Sequence, residues 1–262
     1  MFEAIREFNN NPSSHRDPLS RAFFSLKRLR RIRGRPYYSL MERIHQHVKP
    51  RSYLEIGVCC GDAMVLAHDA ALCIGIDPEP VIRMALPPQA QLHRITSDEF
   101  FADKKLTSQL EKNPIDLAFV DGMHLFEYAL RDFLNIERFS NPNATILAHD
   151  CLPIDRVTAA RERTTTTWTG DVWKLVVCLK KYRPDLQIRT IDVAPSGLTI
   201  IRGLDPKSTT LSSRMQQIEE EFIPMDFDEV ESDLRDKLNV APNDWGQIKE
   251  FLSSAPCCAT TD

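Results

Sequence analysis

Two carboxylates and two glycines supply the first chemistry in this chain. They lie in Tyr53-Leu-Glu-Ile-Gly-Val-Cys-Cys-Gly-Asp62 and in Cys73-Ile-Gly-Ile-Asp-Pro78. Gly57 and Gly61 follow an apolar run, where a strand would turn into a helix. Lacking a Cβ, a glycine lets a bound cofactor approach the backbone. Asp77 comes 20 residues after Gly57, at the end of a second apolar run. In a doubly wound sheet this places a carboxylate at the neighbouring strand's carboxyl end, within reach of a ribose diol. The segment is expected to cradle a nucleoside cofactor; an ordinary tight turn between strand and helix is the plainer alternative.

What is missing narrows the nucleoside. A dinucleotide fingerprint carries a third glycine and seats pyrophosphate at a helix N-terminus. Here the pattern is Glu55-x-Gly57-x-x-x-Gly61. Glu55 would repel a pyrophosphate, yet it suits a cofactor carrying an ammonium and a sulfonium. The pattern resembles motif I of the class I S-adenosylmethionine-dependent methyltransferases, and Asp77 matches that family's ribose-binding acid.

A second constellation runs from Ile115-Asp-Leu-Ala-Phe-Val-Asp-Gly-Met-His124 to Asp132 and resumes in Ile146-Leu-Ala-His-Asp-Cys-Leu-Pro153. It resembles the class I methyltransferases whose fourth strand ends in Asp-Gly-x-His and whose fifth ends in His-Asp. The similarity covers roughly residues 50–202. It implies S-adenosylmethionine held by Glu55, Gly57, Gly61, Asp77, Ser97, Asp98 and Asp121. Ser97 and Asp98 stand where the family contacts adenine, although Asp98 would also serve as a helix N-cap before Phe100.

Methyl transfer from a sulfonium is an in-line displacement that needs an aligned acceptor and, for a hydroxyl, its deprotonation. The chain is distantly similar to catechol O-methyltransferases, which set one aspartate after the fourth strand and an Asp-Asn pair after the fifth around magnesium. A lysine base follows three positions after the first aspartate. Asp121 matches the first ligand, Asp150 the second member of the pair, and His124 the lysine. Imidazole can accept a proton near neutral pH. His149 departs from the pattern, standing where the family has a carboxylate. The resemblance therefore implies a divalent ion (Mg, Mn or Fe) on Asp121, His149 and Asp150, with the nitrogen ligand favouring Mn, Fe or Zn over Mg. Two alternatives stay open at this point: both histidines handle protons without a metal, or the aspartates merely cap helices.

These side chains need a scaffold that brings distant segments together. Leu40, Met41, Ile44 and Val48 are at helical spacing before the first strand. Strands are expected over Tyr53–Val58, Leu72–Ile76, Gln91–Ile95, Ile115–Val120 and Thr145–Ala148, alternating with helical stretches that include Leu125–Phe139 and Val172–Tyr182. Gln187–Arg202, with Pro195-Ser-Gly197 at its middle, reads as a hairpin. The expected fold is α/β, a Rossmann-like seven-stranded methyltransferase sheet. It is mostly parallel, with an antiparallel last strand and helices on both faces. The segment Thr164–Thr167, Trp168 and Gly170–Lys174 falls where substrate covers sit in this fold; packing is the commoner role of its two tryptophans. The expected division is an N-terminal helical segment (1–49), the cofactor-binding domain (50–204) and an acidic helical tail (205–262).

Bulk properties limit the rest. The 262 residues, 42% hydrophobic, suffice for one generous core. No apolar run approaches the roughly 18 residues that span a bilayer, and the start lacks a signal-peptide layout. Seven cysteines without Cys-x-x-Cys spacing fit thiols in a reducing cytoplasm. The net charge of −4 hides a basic head, with 11 Lys/Arg against 4 Asp/Glu in residues 1–50. Its counterpart is an acidic tail, with 5 Lys/Arg against 13 Asp/Glu in residues 205–262. The run Lys27–Arg35 interleaves with Leu29 and Ile32 as a solvated helix face would, so nucleic acid is not an expected partner. The expectation is a cytoplasmic O-methyltransferase of a small molecule, a sugar or phenolic natural product, with terminal helices free to form a homo-oligomer. Its rivals are a binding or regulatory protein of the same fold and a nicotinamide-dependent oxidoreductase.

Overall fold

The computed structural model describes residues 37–254. Lys27–Arg35 and the Cys257–Cys258 pair lie outside the described residues. In chain order, α1 (Tyr37–Val48) leads into β1 (Ser52–Ile56), β2 (Leu72–Ile76) and β3 (Ala90–His93). Next come α2 (Ser97–Ala102), α3 (Lys104–Lys112), β4 (Ile115–Val120), α4 (Phe126–Arg138) and β5 (Ser140–His149). A long loop then reaches α5 (Trp173–Tyr182), β6 (Gln187–Asp192) and β7 (Leu198–Arg202). After them lie α6 (Met215–Phe222), α7 (Asp228–Glu231), α8 (Leu234–Lys237), β8 (Val240–Pro242) and α9 (Trp245–Ser253).

The strands form one sheet in the order β3-β2-β1-β4-β5-β7-β6-β8. β1 to β5 pair in parallel, and β7 runs antiparallel to both β5 and β6. Strand order reverses between β1 and β4, which opens a crevice at their carboxyl ends, the usual ligand position in such sheets. The sheet has eight strands rather than the expected seven. β8, parallel to β6, comes from a segment read as helical tail. Three residues are too few to show a strand period, and the closing Pro242 suits only an edge.

Side chains alternate between two faces, as strand geometry demands. Leu54, Ile56, Ala118, Val120, Ile146 and Ala148 face the layer of α2 to α6. Tyr53, Leu117, Phe119 and Leu147 face the layer of α1 and α9. The acidic C-terminal segment joins both cores, through Ile218, Phe222, Phe227 and Leu238 on one face and Ile248 and Leu252 on the other.

Two expected crossover helices are absent from the described residues. After Gly61 there is one 3-10 turn, Met64–Ala67. Between β2 and β3 no helix forms, because prolines at 78, 80, 87 and 88 withdraw backbone donors. Within the acidic tail, residues 228–237 form two short turns rather than one helix, broken at Ser232-Asp233, residues that favour caps over helix interiors. Among the described residues, no helix is long and apolar enough to cross a membrane.

Candidate functional site

At the end of β1 the backbone turns through Gly57 at φ +86°. A Cβ there would stand 2.1 Å from the carbonyl oxygen of Asp121. The missing side chain therefore permits the close approach of the β1 and β4 loops. Gly61, at φ +90°, faces the side chains of Leu86 and Ile82 in the β2–β3 link.

Glu55 sits on β1 and is 1% exposed. Its Oε2 accepts a hydrogen bond from the Tyr53 hydroxyl at 2.6 Å, and Oε1 has no partner. Burial pushes its pKa up to about 8; the Tyr53 bond opposes the shift, while Asp121, Asp77 and Asp62 reinforce it. A buried acid with a free oxygen is poised to receive a cation. Asp77 has a different environment. Its carboxylate accepts the backbone N–H of Cys59 at 2.7 Å and of Glu79 at 2.8 Å, tying the β1 and β2 loops together. An ionised carboxylate offers about four lone-pair sites, so both oxygens retain capacity for ribose hydroxyls.

Asp98 is not the cap of α2. Thr96 is, in a reciprocal capping box with Glu99. Asp98 instead takes a two-pronged bond from Arg131 on α4, at 3.1 and 3.0 Å. Beside it, Asp132 is buried, and that burial lifts its pKa to about 7 against the opposing bond from Ser97. The sequence reading passed Asp132 over, although it closes a small recess with Gly122, Met123 and His124.

β4 and β5 pair with Val120 opposite Ala148, so Asp121 and His149-Asp150 emerge side by side. His124 lies between the carboxylates: Nε2 is 3.2 Å from Asp121 Oδ1, and Nδ1 is 3.1 Å from Asp150 Oδ2. The second contact is close but not aligned as a hydrogen bond, which leaves Nδ1 buried and unsatisfied. Ligand atoms of Asp121, His124 and Asp150 all lie within 4.8 Å of one another, a donor set that fits a shared cation. The expected ligand set named His149 where this converging group has His124. The Nδ1 of His149 is spent on both carboxylates, at 3.2 and 3.4 Å, and its Nε2 faces the Ser196 hydroxyl at 3.4 Å.

The electrostatics follow from this packing. Burial would lower the pKa of His149, but Asp150 and Asp121 outweigh it and push the ring up to about 10. Burial likewise opposes the imidazolium of His124, yet its bond to Asp121 and the charge of Asp150 leave its pKa raised. Asp121, which burial alone would push up, is held well below the carboxylate range by His149 and His124. Three of the five non-glycine residues with positive φ in the described chain, Cys59, His124 and Asp150, belong to this site. Such conformations cost about 1–3 kcal/mol each and persist where surrounding structure imposes them.

Residues 54–151 match a family described as a methyltransferase domain. No curated protein matches the whole sequence significantly. Among solved structures, the fold is shared with cofactor-bound Rv0187 from MTB, at 14% identity and TM-score 0.50. That match covers 76% of this chain and 95% of the other. A presumed O-methyltransferase from Klebsiella pneumoniae matches at 13% identity and TM-score 0.51, over 77% of this chain and 97% of its own.

Several parts of the site had no sequence signal. Tyr37 of α1 lays its ring on His149 with centroids 4.0 Å apart, walling the cluster from behind. Ser196, in the β6–β7 turn, donates to Asp150 Oδ1. A pocket of about 500 Å³ opens in front of Asp121, His124 and Asp150. Thr166, Thr167 and Trp168 line it, as expected of a covering loop, and the Trp168 ring stacks on His124 at 5.3 Å. Trp173 does not reach it; it is buried in the core against Phe227. α4 is capped neither by His124 nor by Asp121, since the N–H of Phe126 donates to Asp171 at 2.8 Å. That removes the helix-cap explanation for both.

Proposed function

We propose that the protein transfers the methyl group of S-adenosylmethionine to a hydroxyl of a small molecule, a sugar or phenolic natural product. One observation carries this reading. The partnerless oxygen of Glu55 and the carboxylate of Asp77 end on adjacent strands of the sheet that delivers Asp121, His124 and Asp150 to an open pocket. The description of the Klebsiella pneumoniae protein as an O-methyltransferase agrees with oxygen as the acceptor atom.

S-Adenosylmethionine, when bound, supplies an electrophilic methyl group. Glu55 would hold its ammonium and Asp77 its ribose, with Ser97 and Asp98 toward the base. A divalent cation on Asp121, Asp150 and an imidazole would supply positive charge against a developing alkoxide or phenoxide. The chain's own residues do the rest. Trp168 presents a flat surface that orients the acceptor beside His124. His124 takes the hydroxyl proton, and the raised basicity imposed by the two carboxylates makes it a strong acceptor once neutral. The loop carrying Thr166–Trp168 screens the reacting atoms from water.

Calorimetry with S-adenosylmethionine, its demethylated product and NAD tests the cofactor, and turnover on hydroxylated sugars and phenols tests the reaction. Binding of both adenosyl ligands but not NAD is expected. His124→Ala should lower turnover by about 10²–10⁴-fold with cofactor affinity nearly intact. Tight cofactor binding without turnover on any acceptor would favour a regulatory protein of this fold.

A further inference from the structure

The acceptor pocket is charged differently along its length. Its inner end holds Asp121, His124 and Asp150; its outer wall holds Arg163, Thr166, Thr167 and Trp168. Arg163 is the sole lysine or arginine on the lining. Two other arginines of the same loop are already paired, Arg156 with Asp226 and Asp228, and Arg161 with Glu127 and Asp171. Among the described residues, no carboxylate lies within ion-pair distance of Arg163. Its guanidinium lies over the Trp168 ring instead, 5.9 Å from the centroid.

Arg163 is exposed, and its guanidinium is placed against an indole rather than a carboxylate. A guanidinium held over an aromatic ring by cation–π attraction keeps its N–H groups free for an anion. Those groups form a planar fork that matches the oxygens of a carboxylate or phosphate. The same Trp168 ring stacks on His124, so one aromatic plate links the anion-binding fork to the catalytic imidazole. Thr166 and Thr167 bring two more hydroxyls to the same wall. At the inner end, by contrast, the carboxylates of Asp121 and Asp150 already hold His124 and His149, so the fork of Arg163 is the cation left on this lining for an anion.

We infer that the acceptor is a hydroxylated acid: it presents its hydroxyl to His124 and an oxyanion, a carboxylate or phosphate, to Arg163, with its ring along Trp168. The inference rests on the methyl-transfer reading and narrows its substrate class. Arg163 is then the residue that sets specificity. A charge-assisted hydrogen bond contributes about 1.5–3 kcal/mol, roughly a tenfold to hundredfold preference.

The test compares dihydroxybenzoate and glucuronate with their methyl esters, with phenyl phosphate as a competing ligand. Binding is read by tryptophan fluorescence with the demethylated cofactor product bound, and turnover is read separately. The acids should bind at least about tenfold tighter than the esters. Arg163→Gln should close that gap and Arg163→Lys should keep part of it, both with unchanged affinity for S-adenosylmethionine. Competition by phenyl phosphate as strong as by the acids would assign the fork to phosphate; weak competition would assign it to carboxylate. Equal binding of acids and esters, or a preference that survives Arg163→Gln, overturns the inference. Acid preference with cofactor bound but no turnover would instead count against methyl transfer.

Discussion

The carbonyl oxygen of His124 rests against Gly170, in space that a side chain at Gly170 would have to occupy. A Cβ there would lie 1.8 Å from that oxygen, and Gly170 has φ +60°. The next residue completes the clamp, for the N–H of Asp171 donates to the same oxygen at 3.2 Å. The loop that walls the pocket therefore also fixes the turn that carries His124.

Gly170→Ala should push this turn out of place. A displacement of about 1 Å at a catalytic group costs roughly 10²-fold in rate. Turnover should fall by that order while calorimetric affinity for S-adenosylmethionine stays near wild type. A variant with normal turnover would remove positioning of His124 from the duties of this loop.

Asp171→Ala should be a stability mutation first. Asp171, 1% exposed, pairs with the equally buried Lys174 at 2.9 Å and with Arg161 at 2.6 Å. Arg161 keeps Glu127, but Lys174 would retain only the Ile223 carbonyl. Removing one partner of a buried pair costs about 3–5 kcal/mol. Urea denaturation should show a loss in that range, with Asp171→Asn losing less because it keeps an acceptor for the Phe126 N–H.

Glu55 predicts a pH dependence with a definite sign. Its pKa is raised from 4.5 to about 8 by burial. Between those values the folded protein holds a proton that the unfolded chain has released, so stability of the free protein falls as pH rises through that window. A bound ammonium needs the carboxylate, so cofactor affinity should climb with pH and level off above about 8. Calorimetry from pH 6 to 9 checks this, and Glu55→Gln should bind weakly with no such slope.

Asp77→Ala removes both the ribose acceptor and the tether between Cys59 and Glu79. Two charge-assisted bonds predict at least a tenfold loss of cofactor affinity. Asp77→Asn keeps one acceptor oxygen for the tether, so an affinity loss shared by both variants would trace to the ribose rather than to the loop.

A cation held by the carboxylates of Asp121 and Asp150 should show itself without any turnover. Ligand at a hundred times its dissociation constant stabilises the folded state by about 2.7 kcal/mol. Mn or Mg should raise the melting temperature of the wild type and not that of Asp121→Asn or Asp150→Asn. Exhaustive chelation should lower turnover reversibly; an unchanged melting curve and full activity would leave the cluster to proton handling alone.

Much of this site was legible in the sequence because its residues sit at fixed offsets from apolar runs. Glu55, Asp77, Asp121, His149 and Asp150 end strands, and a parallel sheet with right-handed crossovers must bring such ends together. The β6–β7 hairpin was legible too, because two alternating runs flank Pro195-Ser-Gly197. The roles within the cluster were not. That His124 joins Asp121 and Asp150 in one converging set depends on which ring nitrogen faces which carboxylate, a matter of ångströms between strands. Tyr37, Ser196, Asp171 and Arg163 enter from segments far along the chain, and no local period marks a residue that acts only where another segment lands. Gly57 was legible as a glycine with a function, but its reason, the carbonyl of Asp121 against its missing side chain, exists only once β1 and β4 are paired. Sequence by itself determined which residues reach the edge of the sheet. Tertiary structure decided which of them touch, because burial and the contacts between loops set the charge and position of each group.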